Sequence, residues 1–183
     1  MKGCRTLERE EITTILNTLN QRDKVLVLTG LTFGTRISET LSLTFSDVSG
    51  KFINVKSLKG SENATFPIPA GYRAEVDALR AKYEAQGKKI TGSSPLFLSQ
   101  KGHDKAISRV QASRTVADAC EKLGIDGKVN THSFRKTFVT AIYEKTGFDI
   151  ALTKKYSRHK SLANLDYYIS TTQDLDLVTG LNW

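Results

Sequence analysis

His132-Ser133-Phe134-Arg135-Lys136-Thr137 is the most informative run of this chain. Thr131 stands before it as a helix cap, and the helix it opens is expected to continue to about Thr146, where Gly147 breaks it. A spacing of three places His132 and Arg135 on one face. That face lies near a helix N-terminus, which attracts phosphate. A capped helix bearing His and Arg can be purely structural. Yet the chain holds only three histidines, which makes chance placement less comfortable.

Upstream, Thr6 is expected to cap a helix over Leu7 to Leu19, with Ile12, Ile15, Leu16 and Leu19 at helical spacing. A second apolar segment, Val25 to Phe33, ends at Gly34 and leads to Arg36. A short helix through Ile37, Leu41 and Leu43 follows, closed by Ser46-Asp47. Phe52 to Val55 and Thr65 to Ile68 are strand candidates about the polar turn Lys59-Gly60-Ser61-Glu62-Asn63, with Pro67 and Pro69 marking an edge. Helices are expected over Ala70 to Gln86 and Ile107 to Leu123, with a loop over Gly87 to Pro95. Asp149 and Ser161 read as caps of two further helices. The fold class is α+β, mainly α-helical, with a small antiparallel β-sheet, read as one domain over residues 1–183.

Composition narrows the partner. The 183 residues are 39% hydrophobic and 25% charged, enough for a real core. A net charge of +8 favours a polyanion, because each phosphate neutralised by Lys or Arg releases condensed counterions. A basic protein with no nucleic-acid role remains the bland alternative. Cys4 and Cys120 offer neither a disulfide framework nor zinc-ligand spacing. No apolar run approaches the roughly 20 residues of a membrane span. The first residues lack the apolar stretch of a signal peptide, so a cytoplasmic location is expected.

Phosphodiester transfer without a metal needs a nucleophile, cations around the phosphorus and an acid for the departing oxygen. Four segments carry such groups. In Thr35-Arg36-Ile37-Ser38-Glu39 an arginine precedes a carboxylate by three positions. Lys59 sits in the hairpin turn eight residues before Pro67 (67 − 59 = 8), with Lys56 as its local competitor. The third segment is the His132/Arg135 run. The fourth is Tyr156-Ser157-Arg158-His159-Lys160-Ser161, with Tyr168 nine residues after His159 (168 − 159 = 9).

In this order, the segments resemble the motifs of the tyrosine recombinase (phage integrase) family, whose C-terminal catalytic domain the chain is identified with. The resemblance extends from Arg36 to Tyr168. It implies that Arg36 and Arg135 grip the non-bridging phosphate oxygens, as a forked, permanently charged guanidinium suits. It also implies that Lys59 protonates the leaving 5′ oxygen and that His159 contacts another phosphate oxygen. His132 would accept the tyrosine proton or hydrogen-bond the phosphate, and Glu39 would orient His132 or Arg36. Tyr168 is the implied nucleophile. Tyr167, one residue off register and turned by roughly 100° on a helix, is the competitor. Arg158, Lys136 and Lys160 are expected to contact DNA. Arg158 stands where the family commonly has the glycine of a Leu-Gly pair before the histidine, which puts the local turn in doubt.

The resemblance further implies double-stranded DNA with specific recombination sites as partner. It implies a homotetramer on paired sites, a monomer being possible off DNA, and no cofactor or metal. A 3′-phosphotyrosine bond would conserve the energy for rejoining. The tail, residues 170–183, would fold back on its own domain or dock on a neighbouring protomer. Two alternatives remain: a type IB topoisomerase or telomere resolvase with a similar residue set, and a non-catalytic DNA-binding module that keeps the fold. The chain is either an excised domain or a naturally short recombinase.

Overall fold

The structure, a computed structural model, describes residues 3–58, 62–100, 104–159 and Leu165. Among these, seven α-helices accompany one two-stranded antiparallel sheet. They run α1 (Arg9–Thr18), α2 (Gln21–Phe33), α3 (Ile37–Leu41), β1 (Phe52–Val55), β2 (Ala64–Pro67), α4 (Ala70–Ala85), α5 (Arg109–Lys122), α6 (Thr131–Lys145) and α7 (Ile150–Ser157). The mainly helical α+β class expected from sequence is thus the observed one.

The element ends follow local chemistry. The helix expected from Leu7 starts two residues later, and the Glu11 carboxylate accepts the Glu8 backbone N–H at 2.9 Å, so Thr6 is not its cap. Asn130 rather than Thr131 caps α6. Its backbone is extended and its Oδ1 accepts the His132 N–H at 2.9 Å, which takes Thr131 into the helix. Asp149 caps α7 as expected, accepting the Leu152 N–H at 2.9 Å. The Ser161 cap lies outside the described residues. The hairpin pairs Phe52 with Pro67 and Val55 with Ala64. Lys56 lies just past the end of β1 and is exposed.

Two glycines set how closely α6 approaches α2. A Cβ on Gly30 would stand 2.9 Å from the Phe134 Cβ, and one on Gly34 would stand 2.3 Å from Phe138 Cδ1. Both glycines and both phenylalanines are four residues apart, so each pair lies along one helix face. The bare backbone of α2 therefore seats two aromatic rings of α6. Gly34 also ends α2 in the left-handed region, at φ 58°. The main core, which includes Val25, Phe33, Ile53, Leu79, Phe97 and Phe134, fills the space among α2, the hairpin and α4. A smaller cluster joins Phe138 and Val139 of α6 to Leu165. α6 thus packs on α2 with one face and meets α7 with another, which brings the ends of three helices together.

Candidate active site

Of the residues picked from sequence, Arg36, Glu39, His132, Arg135, Arg158 and His159 gather where α2, α6 and α7 end or begin. Arg135, one turn into α6, is fully buried. Its Nη1 donates to the Gly34 carbonyl at the end of α2, and its Nη2 donates to the Ser157 carbonyl at the end of α7, at 2.7 Å. Carbonyls at helix C-termini carry partial negative charge and lack intrahelical partners, so they are natural seats for a guanidinium. Both helices thereby orient one arginine.

His159 lies against that arginine, 3.2 Å from Arg135 Nη2 to its Nε2. Arginine only donates, so Nε2 must accept. Nδ1 then carries the proton and donates to Ser157 Oγ at 2.8 Å, and Ser157 Oγ donates to the Lys154 carbonyl at 3.2 Å. Burial first, then Arg135 and Arg36, push the His159 pKa down to about 3. His132 is lowered as well, by burial and then by Arg135 and Arg36. Both imidazoles are therefore neutral at pH 7. His159 turns Nε2 towards Arg135.

Arg36 precedes α3, and its backbone N–H donates to Glu39 Oε2 at 2.9 Å. Its Nη1 is 3.4 Å from Glu39 Oε1, and its side chain keeps 27% exposure against 1% for Glu39. Of the guanidiniums in the site this is the accessible one. Glu39 thus contacts Arg36 through both its backbone N–H and its guanidinium.

Arg158 corrects an expectation. Instead of a DNA-facing surface it occupies the interior, 1% exposed, with Nη2 2.8 Å from Glu39 Oε2. The same nitrogen lies 3.4 Å from the Gly34 carbonyl. At that turn Arg158 caps α7 in the left-handed region, φ 59° and ψ 31°. A side chain there costs roughly 1–2 kcal/mol against glycine, and the buried ion pair is what that conformation makes reachable. Lys136 is likewise half-buried, its Nζ 3.3 Å from the Cys4 carbonyl.

The hairpin reaches the same region. Glu62, two residues before β2, has its N–H 3.4 Å from the Arg158 carbonyl. Lys59, Lys160, Tyr167, Tyr168 and the 170–183 tail lie outside the described residues. Sequence reasoning missed Ser157, whose hydroxyl fixes the His159 tautomer; its only signal was adjacency to the motif. Among the described residues, no three His, Cys, Asp or Glu side chains converge as a metal would require, and no helix is long and apolar enough to cross a membrane.

Residues 5–174 match the family described as Phage integrase family. The tyrosine recombinase XerA of Pyrococcus furiosus is 28% identical over 176 residues, covering 92% of this chain and 58% of that protein. The probable integrase/recombinase YoeC of Bacillus subtilis is 29% identical over 176 residues, covering 95% and 92%. The XerH site-specific recombinase, solved bound to its difH substrate in a pre-cleavage complex, superposes with a TM-score of 0.71 at 21% identity. That likeness covers 96% of this chain and 52% of that one, and it concerns the fold.

Proposed function

The chain belongs to the phage integrase family, and from that premise we propose that it cleaves and rejoins DNA as a site-specific tyrosine recombinase. The reading rests chiefly on Arg36, Arg135, His132 and His159 sharing one site, with both imidazoles held neutral. Tyr168 Oη attacks the phosphorus, the bond from phosphorus to the 5′ oxygen breaks, and a 3′-phosphotyrosine link forms. A tyrosine hydroxyl has a reference pKa near 10, so its proton needs an acceptor. Neutral His132 can take it. Lys59 gives a proton to the departing 5′ oxygen.

Arg36 meets the phosphate from the accessible side. Arg135 is buried, so its contact with the phosphate requires a local opening when DNA binds. His159 steadies Arg135 through Nε2. Guanidinium charge then stabilises the transition state without metal, and the retained bond energy makes ATP unnecessary. The partner is double-stranded DNA carrying recombination sites, engaged by four protomers on paired sites, in the cytoplasm. Residues 1–183 act as one catalytic domain whose tail docks on a neighbouring protomer.

A nicked suicide substrate tests the chemistry, because loss of the short strand beyond the nick traps the covalent complex. The parent and Tyr167→Phe should form a protein–DNA adduct, and Tyr168→Phe should form none. A normal adduct with Tyr168→Phe refutes the assignment. Tight DNA binding with no adduct from the parent would mark a non-catalytic module instead.

A further inference from the structure

Glu39 serves two arginines unequally. Its shorter charged contact goes to Arg158 at 2.8 Å, with both side chains 1% exposed. The contact with Arg36 stretches to 3.4 Å, and Arg36 keeps its exposure. An ion pair strengthens as the surrounding dielectric falls, so the buried Arg158 takes most of the carboxylate's attraction. Arg158 Nε and Nη1 are buried with no hydrogen-bond partner, and the residue adopts a left-handed backbone. Both features cost stability.

We infer that Arg158 is a positioning residue: by engaging the Glu39 carboxylate, it keeps the Arg36 guanidinium from being drawn into a tight pair and leaves its charge for the scissile phosphate. The inference rests on the recombinase reading for the phosphate, but the division of Glu39 between two arginines is a property of the chain itself. Removing the Arg158 guanidinium leaves a buried carboxylate beside Arg36. The Arg36 side chain then closes on it, and part of its charge is neutralised before DNA arrives.

Arg158→Gly is the informative variant, because glycine suits the left-handed turn and the loss cannot be blamed on a broken backbone. Its single-turnover cleavage should fall about tenfold or more with DNA affinity unchanged, as for loss of a group that acts in the transition state. Arg158→Lys, which keeps a cation near Glu39, should recover part of the rate. In a Glu39→Gln background, Arg158→Gly should cause no further loss. On a methylphosphonate substrate, which lacks the negative charge that Arg36 meets, the defect should shrink to within about twofold.

A second measurement needs no cleavage. The nitrogen-15 side-chain signals of Arg36 should show slowed guanidinium rotation and a shift in Arg158→Gly, as the pair with Glu39 tightens. Equal losses on phosphodiester and methylphosphonate would make Arg158 merely structural and overturn the inference. So would a parental cleavage rate, or unchanged Arg36 signals. If the parent itself forms no adduct, the recombinase reading fails. The Arg36 signals then decide this inference by themselves, with a change supporting it and constancy refuting it.

Discussion

Gly34→Ala should destabilise the protein by two separable amounts, because Gly34 is constrained twice. Its φ of 58° is left-handed, where any side chain costs roughly 1–2 kcal/mol. An added Cβ would also stand 2.3 Å from Phe138 Cδ1 and 2.6 Å from Cε1. The ring sits in the α6 core cluster, so this is overpacking, worth about 1–3 kcal/mol. The expected total is about 2–5 kcal/mol. Gly124 provides the control: its φ is 62° with nothing within 4 Å of an added Cβ, so Gly124→Ala should cost only the conformational part. Urea unfolding reads both as a lower midpoint at constant slope. Adding Phe138→Leu should reduce the cost of Gly34→Ala towards that of Gly124→Ala, a coupling a double-mutant cycle measures. The Gly34 carbonyl also accepts from Arg135, so Gly34→Ala should slow DNA cleavage even where the variant is fully folded. If Gly34→Ala costs no more than Gly124→Ala, the close approach of α6 to α2 is not what fixes the site.

Stability should fall as pH drops below 6.5, since burial and the arginines hold His159 at about 3 and lower His132 too. The unfolded chain binds the extra protons there, so unfolding free energy rises with pH, by about 1.4 kcal/mol per pH unit for each proton. Glu11, held at about 2 by Arg5, contributes below 4.5, so the slope between about pH 6.5 and 5 isolates the histidines. His159→Gln should flatten it, and a slope unchanged by that substitution refutes the assignment. Cleavage should survive EDTA; activity lost to EDTA and restored by magnesium, with DNA binding unaltered, would contradict a guanidinium-based mechanism. Deleting the residues after Thr172 should weaken protomer association on paired sites while the thermal transition of the domain persists. Unchanged assembly and cleavage would show that the tail has no such role.

Features that depend on local periodicity were legible. The His132/Arg135 spacing gives a shared helix face whatever the rest of the chain does, and β1 alternates buried Ile53 and Val55 with exposed neighbours. Competition between adjacent groups was not legible. Asn130 and Thr131 can each cap, and the extended backbone at Asn130 decides it. Long-range pairing was less legible still. Arg158 was expected to contact DNA, whereas its buried partner Glu39 lies 119 residues away. Gly30 and Gly34 carry the spacing of the α2–α6 contact, yet only the facing Phe134 and Phe138 give that spacing meaning.

The way these charges are held bears on why the arrangement suits a phosphate. Three guanidiniums, those of Arg36, Arg135 and Arg158, gather around two neutral imidazoles and the Glu39 carboxylate. Full neutralisation of each arginine by its own carboxylate would orient it equally well, but would cancel the field that a phosphoryl group needs. Arg135 donates to the Gly34 and Ser157 carbonyls. A helix terminus offers roughly half a unit charge, spread over its end groups, so these acceptors fix direction while leaving most of the positive potential in place. Holding both histidines neutral follows from the same excess of positive charge, which opposes their protonation. Among the described residues, orientation by helix-end carbonyls and by the Glu39 carboxylate shared between Arg36 and Arg158 is what the proposed function would use to hold an anion. On the proposed function, the arginine burial that looks costly in the isolated chain would preorganise the field around a bound phosphate.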